Sequence, residues 1–328
     1  MKIRKTAFSL PSRVETSATL SEWSGLRQDF ISQKIGVQER RFLPAGERPV
    51  DLAASACERL FAAPDGPARE AIDLVVVVTQ NPDYRIPHSS ALLQDALQLR
   101  SDIAAFDIGL GCSGYVYALA VLKGLMMAEG MSDALLVTCD PYSRIMGRSD
   151  RETVALFGDA ATATWMSADQ GGSIGKVDFG TDGAGAENLI IRAGGSAHSM
   201  SGIDPGEEGV PERDFRLYMN GRGIFNFMME RIPKSIETAL QKNDVSREDI
   251  DFFVFHQASR FLLDQLSSRL GIEREKVPCN LERYGNTVSS SIPLLLSEMQ
   301  ADGRLPGKKV LVSGFGVGLS WATTVLQF

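Results

Sequence analysis

The sequence has no long apolar run. Its 328 residues contain nothing close to the ~18 consecutive apolar residues that a transmembrane helix requires, so no membrane partner is expected. The N-terminal segment MKIRKTAFSLPSRV carries basic residues, but its apolar stretch is too short for a secretory signal peptide. We therefore expect a soluble protein of the cytoplasm.

Cysteine is scarce and scattered. The four cysteines show no C-x-x-C spacing, so we expect neither a disulfide framework nor a metal site. Cys57 lies in a helical pattern, Cys139 ends a strand-like run and Cys279 lies in KVPCN. Each is expected to be a small core residue. Only Cys112, in GLGCSG, lies at a turn between an apolar strand and an apolar helix.

Basic residues are fewer than acidic residues. Lysine and arginine number 34 against 41 aspartates and glutamates, a net charge of −7, and no basic cluster stands out. A nucleic-acid partner is therefore not expected. An acidic partner would need a local basic patch. The 44% apolar and 23% charged content is ordinary for a soluble globular protein.

The order of strand and helix patterns occurs twice along the chain. Thr79 and Cys112 are separated by 33 residues in the first half, and His256 and Asn286 by 30 in the second. Alternating strands and helices predict two mostly parallel sheets, each built from a βαβαβ unit. The predicted halves are residues 1–170, with the cysteine, and residues 171–328. The second half begins with a linker loop and carries the histidine and asparagine. Cys112 and Asn286 then occupy equivalent positions.

Three side chains at these junctions suggest a reaction. A cysteine at a helix N-terminus is expected to have a lowered pKa and to act as a nucleophile. His256, at the end of DFFVFHQAS, and Asn286, in YGNTVSSS, can donate hydrogen bonds to a developing oxyanion. Taken singly, each is also explained structurally, as a packed thiol, a core histidine and a turn asparagine.

Seven segments resemble, in order, those of β-ketoacyl-acyl-carrier-protein synthase III enzymes of the thiolase superfamily. They are KIGVQERRF, TQNPDYRIPHSSALLQDAL, GCSG, FGDAATA, FVFHQAS, ERYGNT and SGFGVGLSW. The resemblance implies the thiolase fold, with five layers in the order α-β-α-β-α, and a homodimer. It also implies a decarboxylative Claisen condensation of an acyl-CoA with malonyl-acyl carrier protein. Coenzyme A is then part of a substrate, and no cofactor is expected.

The same resemblance implies roles near the reacting atoms. Cys112 would carry the acyl group, and its backbone N–H would form an oxyanion hole with that of Val317. His256 and Asn286 would bind the thioester oxygen of the malonyl substrate. Phe315, followed by Gly316, would wall the substrate pocket.

Other implied positions bind the acyl donor. Phe30 and Arg151 would flank the adenine of coenzyme A, where the family commonly has Trp in place of Phe30. Lys34 stands where Arg is common. Ile86 would close the acyl pocket of the other subunit, and its small size suggests room for a longer or branched chain.

Three alternatives differ in chemistry. Ser259 and Phe261 depart from the family's Asn and Arg, which favours an acyltransferase that passes its acyl group to an alcohol, amine or other acceptor. The order Cys, His, Asn also occurs in papain-like hydrolases, but the duplication and the setting of Cys112 do not fit them. A non-catalytic partner subunit should have lost one of the three residues.

Overall fold

The computed structural model describes residues 1–169, 173–198 and 210–328. The strands are β1 Lys2–Ser9, β2 Arg13–Thr16, β3 Glu39–Phe42, β4 Leu74–Val78, β5 Ala104–Ile108, β6 Asp133–Cys139, β7 Ala161–Ser167, β8 Ser173–Ile174, β9 Asp178–Thr181, β10 Leu189–Ile190, β11 Tyr218–Met219, β12 Phe252–Phe255, β13 Lys309–Gly316 and β14 Ser320–Gln327. The α-helices are α1 Ser17–Ser24, α2 Pro49–Phe61, α3 Ser89–Ala96, α4 Gly114–Glu129, α5 Gly221–Lys242, α6 Arg260–Leu270, α7 Leu281–Tyr284 and α8 Ser291–Ala301. A π-helix, Phe30–Ile35, lies between α1 and β3.

Most strands belong to two large sheets. The first has the order β1-β7-β6-β4-β5, and β4 runs parallel to both β5 and β6. The second has the order β12-β13-β14-β8, with β9 also paired to β14. Here β12 runs parallel to β13, while β14 is antiparallel to β13, β8 and β9, so the prediction of a mostly parallel sheet is wrong for this half. The strand patterns predicted around Cys112 and before His256 are confirmed.

Alternation along β4 explains how the first sheet is covered on both faces. Leu74, Val76 and Val78 pack toward α4 in the centre, whereas Val75 and Val77 pack toward α2 and α3 on the outside. Both sets are fully or almost fully buried. A run of β-branched residues therefore suits this strand, because each face must fill a dry interface.

The second sheet repeats this arrangement. Val310 and Val312 join the central core with α4 and α8, and Leu311 and Phe315 face α5 and α6. The layers therefore run α2/α3, first sheet, α4/α8, second sheet, α5/α6. The predicted α/β architecture of five layers is confirmed, with α4 and α8 apolar because they are covered on two sides.

The duplication is incomplete in one place. The segment KVPCNLERYGN, predicted as a strand or turn, forms irregular backbone and the short helix α7, and no strand corresponds to β5 in this part of the chain. Side chains replace the missing ladder. The N–H of Asn280 donates to Gln257 Oε1 at 3.2 Å, and Asn280 Nδ2 donates to Glu298 at 2.8 Å. The element that precedes Asn286 in the chain is therefore the helix α7 and not a strand.

Two predicted features fall on residues that the structure does not describe. The boundary predicted between residues 170 and 171 lies there, between the end of β7 and the start of β8. So does the centre of the predicted loop GGSAHSMSGIDPGEEGVPERD, at residues 199–209. Its described ends form turns and the 3₁₀ helix Glu212–Phe215. Among the described residues, no helix is long and apolar enough to cross a bilayer.

Candidate active site

The three predicted catalytic residues meet on one cavity. A space of about 690 Å³ is lined by Cys112, His256 and Asn286, together with apolar side chains from both halves. Their exposed fractions are 4%, 2% and 3% respectively. The two halves thus place a thiol, an imidazole and an amide in a site largely protected from water, where hydrogen bonds to a developing charge are strengthened.

Cys112 is held between the two sheets. It follows β5 by a short loop, and Ser113 is the N-cap residue of α4. Strand β13 passes directly against it: a Cβ added at Gly316 would lie 2.7 Å from Cys112 Sγ, and one at Gly314 would lie 2.7 Å from the Cys112 carbonyl oxygen. Both glycines are therefore required by this close approach.

The predicted lowering of the Cys112 pKa is wrong. Burial raises the pKa of this thiol to about 12, and the charge of Asp140 also raises it, while the N–H groups of Val317 and of Cys112 itself lower it. Desolvation of the thiolate outweighs the favourable backbone dipoles. The resting nucleophile is thus a thiol at neutral pH, and its proton must leave during attack.

The C-terminal glycine-rich turn lies beside this thiol. Val317 follows the end of β13, and its backbone N–H joins that of Cys112 in hydrogen bonding the sulfur. Two N–H groups thus point at the position from which the reaction starts. This is the arrangement expected of an oxyanion hole, and the role itself stays a prediction.

His256 directly follows β12 and continues its pairing, since its N–H donates to the Ser313 carbonyl at 2.9 Å. Its ring meets Phe315 edge-on, with centroids 5.8 Å apart. Nδ1 lies 2.8 Å from Ser291 Oγ. Burial lowers the pKa of the imidazole to about 3, opposed by the backbone of Val288, so the ring is neutral at physiological pH.

Asn286 is fixed at both its backbone and its side chain. Its N–H donates to the Leu156 carbonyl, and its carbonyl accepts from the Gly158 N–H, both at 2.9 Å. The Val288 N–H donates to Asn286 Oδ1 at 2.9 Å. Because Oδ1 is occupied as an acceptor, Nδ2 is the atom that faces His256, 3.4 Å from its Nε2.

The predicted substrate residues divide into two groups. Phe30, Arg151, Phe315 and Gly316 line the same cavity as Cys112. Lys34 does not: it is exposed on the π-helix, from which only Phe30 and Ile35 line the cavity.

Ile86 also lies away from the cavity in this chain. It is 86% exposed, in the segment between β4 and α3. Its predicted role in a second subunit is therefore neither supported nor contradicted by its place in one chain.

Several residues at the cavity were missed in the sequence. Arg222 and Phe225, at the start of α5, line it, and Phe225 stacks on Phe261 with centroids 5.8 Å apart. Ser259 accepts a hydrogen bond from the Leu262 N–H as the N-cap of α6. The hydrophobic periodicity of the α5 sequence indicates a helix, but it does not indicate which end of that helix lines the cavity. No metal-binding group of three His, Cys, Asp or Glu side chains occurs within the described ranges.

Comparisons with known proteins cover the whole chain. A family model described as 3-oxoacyl-[acyl-carrier-protein (ACP)] synthase III matches residues 106–183, and the model of that family's C-terminal part matches residues 240–328. The beta-ketoacyl-[acyl-carrier-protein] synthase III of Streptococcus pyogenes serotype M5 (strain Manfredo) is 32% identical over 329 aligned positions. That alignment covers 99% of this chain and 98% of the relative.

Solved structures agree in fold. A crystal structure of a 3-oxoacyl-(acyl-carrier-protein) synthase III matches with a TM-score of 0.93 and 38% identity, covering 100% of this chain and 99% of the other. The corresponding synthase III from Thermus thermophilus matches with a TM-score of 0.89 and 34% identity, at the same coverage. The thiolase fold implied by the seven motifs is confirmed. Since these matches run the full length of the chain, the protein belongs to the 3-oxoacyl-[acyl-carrier-protein] synthase III family.

Proposed function

We propose that the protein is an acyltransferase that catalyses decarboxylative Claisen condensation, joining an acyl group held on Cys112 to a malonyl-carrier-protein thioester. The product is a 3-oxoacyl thioester, made in fatty acid or related biosynthesis. The observation that carries this proposal is the convergence of Cys112, His256 and Asn286 on one buried cavity. The full-length relatives are named as synthases of beta-ketoacyl- or 3-oxoacyl-[acyl-carrier-protein], so an alcohol or amine acceptor is not favoured.

The first half-reaction loads Cys112. Its sulfur attacks the carbonyl carbon of an acyl-CoA, and the N–H groups of Cys112 and Val317 stabilise the oxyanion that forms. The carbon–sulfur bond to coenzyme A then breaks. Because burial keeps Cys112 protonated at rest, its proton is released during attack and neutralises the departing thiolate, so coenzyme A leaves as a thiol.

The second half-reaction uses His256 and Asn286. The thioester oxygen of the malonyl group accepts hydrogen bonds from His256 Nε2–H and Asn286 Nδ2–H. Loss of CO₂ then leaves an enolate whose negative oxygen these donors stabilise. The enolate carbon attacks the acyl carbon on Cys112, and the sulfur is expelled and takes up a proton. A neutral imidazole suits this role, because it donates a hydrogen bond without needing a counter-ion in a dry site.

The mouth of the cavity suits thioester substrates of coenzyme A and of a carrier protein. Phe30 is 46% exposed there and offers a ring face for the adenine. Arg151 and Arg222 line the same opening and supply positive charge for a phosphate or an acidic carrier protein. Coenzyme A is a substrate component in this scheme, and the residues at the site perform the chemistry.

The proposed assembly is a homodimer. Strand β5 lies at one edge of the first sheet, and all five of its residues are only half-buried. Ile86 and Tyr84 are 86% and 51% exposed. An open apolar edge strand favours pairing with a second copy.

The four cysteines are free thiols, which suits the reducing cytoplasm. We place the division of the halves near residue 170, since β8 and β9 pair with β14 of the second sheet.

The test follows both half-reactions. Incubation with acyl-CoA should add one acyl mass to the wild-type protein and none to Cys112→Ala, with Cys139→Ala as a control at another buried thiol. Adding malonyl-carrier thioester to the acylated protein should release CO₂ and form a 3-oxoacyl product. Acyl transfer to another acceptor without CO₂ release would overturn the proposal, as would an adduct that persists in Cys112→Ala.

A further inference from the structure

A second cavity lies apart from the one that contains Cys112. It has a volume of about 280 Å³, and among the described residues it shares no lining side chain with the active-site cavity. Trp23 of α1 and Phe42 of β3 line it, together with residues from the segment 143–148 and Val154. The proposed condensation does not use this cavity, so any ligand that it binds must be identified from its own lining.

The inner lining of this second cavity is apolar. Four buried hydrophobic side chains contribute to it, namely Phe42, Leu43, Met146 and Val154. The half-buried indole of Trp23 lies beside them, with its ring centroid 6.2 Å from that of Phe42. A ligand with an apolar body would therefore gain affinity here by leaving water.

The outer lining is basic. Arg13, Arg144 and Arg148 are exposed and line the cavity, and none of the twelve lining residues within the described ranges is acidic. Glu15 pairs with Arg13 and offsets its charge. In a chain whose net charge is −7, this local excess of positive charge favours an anionic ligand.

Two of these three cations form no ion pair within the part of the chain that the structure describes. Arg144 Nη2 donates to two backbone carbonyls, at 2.9 and 2.6 Å, and the charge of buried Asp159 partly offsets that of Arg144. The Arg148 guanidinium lies 4.4 Å from the centroid of the Trp23 ring. Its N–H groups are therefore open to an acceptor that enters the cavity beside the indole.

We propose that this cavity binds an amphipathic carboxylate, with its apolar body against Phe42 and Met146 and its carboxylate beside Arg144 and Arg148. A planar guanidinium matches the two oxygens of a carboxylate in charge and in geometry. The volume of about 280 Å³ is at the lower end for small-molecule sites, which limits the ligand to about one ring or a short alkyl chain. This inference does not depend on the proposed condensation.

Phenylacetate is the probe, because it carries one ring and one carboxylate. A ligand-detected NMR titration of the wild-type protein should show saturable binding. Phenylacetamide, which has the same shape without the charge, should bind about tenfold more weakly, as expected for loss of a charged hydrogen bond. Arg148→Gln should weaken phenylacetate binding to a similar extent. Arg222→Gln is the matched control, since Arg222 lines the active-site cavity instead, and it should leave the Kd unchanged.

Four results would overturn the proposal. They are no saturable binding of phenylacetate up to about 10 mM, equal affinity for phenylacetamide, an unchanged Kd in Arg148→Gln, and a loss confined to Arg222→Gln, which would place the probe in the active-site cavity. Displacement of phenylacetate by an equal concentration of inorganic phosphate would also contradict it, since the apolar lining would then add no affinity. The comparison with phenylacetamide uses the wild-type protein, so it tests the proposal even if a variant fails to fold.

Discussion

Asn286 Nδ2 lies 3.4 Å from His256 Nε2, and both atoms belong to residues that line the cavity of Cys112. That separation is at the far limit for a hydrogen bond and suits two donors that share one acceptor. The amide orientation follows from the Val288 N–H, which occupies Oδ1. The pair is therefore held in place at the cavity, where the proposed function has it bind one thioester oxygen.

We expect acyl loading and decarboxylation to depend on different residues. His256→Ala and Asn286→Ala should each still accept an acyl group on Cys112, because the proposed mechanism assigns that step to the N–H groups of Cys112 and Val317. Decarboxylation of malonyl-thioester should fall on the order of 10²–10³-fold, the usual cost of losing one oxyanion donor. Stopped assays of acyl loading and CO₂ release on the same preparations separate the steps. Wild-type CO₂ release in both variants would contradict the assignment.

The titration of Cys112 gives a second prediction. Burial raises the pKa of this thiol to about 12, so the thiolate fraction should keep growing well above pH 9. Alkylation of Cys112 by a small reagent such as iodoacetamide should therefore be slow at pH 7 and accelerate without levelling off through pH 9. Peptide mapping, with Cys112→Ala as the control, identifies the labelled site. A plateau of the alkylation rate near pH 7 would instead show that the pKa of Cys112 is lowered, as its position at a helix N-terminus suggested.

Phe30 should set the affinity for the adenine end of the donor. Phe30→Trp enlarges the stacking surface and should lower KM for acyl-CoA, while kcat stays close to the wild-type value, since ground and transition states gain equally. Phe261→Trp is the matched control, because Phe261 is also 46% exposed at this cavity but stacks on Phe225. Acyl-pantetheine, which lacks adenine, should show no change. Equal changes in KM for both donors would show that adenine does not bind at this site.

Lys34 and Arg151 should differ in the same assay. Arg151 lines the cavity, whereas Lys34 is exposed outside it. Arg151→Ala should therefore raise KM for acyl-CoA several-fold more than Lys34→Ala does. A larger effect from Lys34→Ala would show that the bound coenzyme A extends along the π-helix and not toward Arg151.

Asp159 should make folding stability depend on pH. Burial raises its folded pKa to about 6, while the Leu43 N–H and both Ser143 donors oppose the shift. The folded protein then binds more protons than the unfolded chain between about pH 4 and pH 6. The contribution of Asp159 to the free energy of unfolding should therefore rise on acidification through that range. From a shift of about two pH units, the gain is at most about 3 kcal/mol.

The comparison variants for this measurement are Asp159→Asn and Asp102→Asn. Asp159→Asn cannot titrate, so the difference in unfolding free energy from wild type should grow as the pH falls from 6 to 4. Asp102, whose side chain is 73% exposed, provides the same substitution at the surface and should leave the pH dependence unchanged. Parallel curves for wild type and Asp159→Asn would show that this carboxyl titrates normally.

The sequence allowed the architecture to be predicted because buried strands have a simple signature. LVVVV in β4 and the apolar helix that became α4 each report burial on two sides. The similar spacing of the halves predicted that Cys112 and Asn286 would occupy equivalent positions. It did not predict that α7 replaces the strand before Asn286, since the Asn280, Gln257 and Glu298 contacts that shape this segment come from distant parts of the chain.

The sequence by itself determined the family, the five layers and the identity of the three residues that share the cavity, because motifs and hydrophobic periodicity are local properties. Tertiary structure decided the rest. The raised pKa of Cys112 depends on how far surrounding elements exclude water, and no local pattern records that desolvation. The contact between Ser291 and His256 joins residues 35 positions apart. Lys34 is exposed and lies outside the cavity that Phe30 and Ile35 of the same π-helix line, a difference that depends on packing against neighbouring elements.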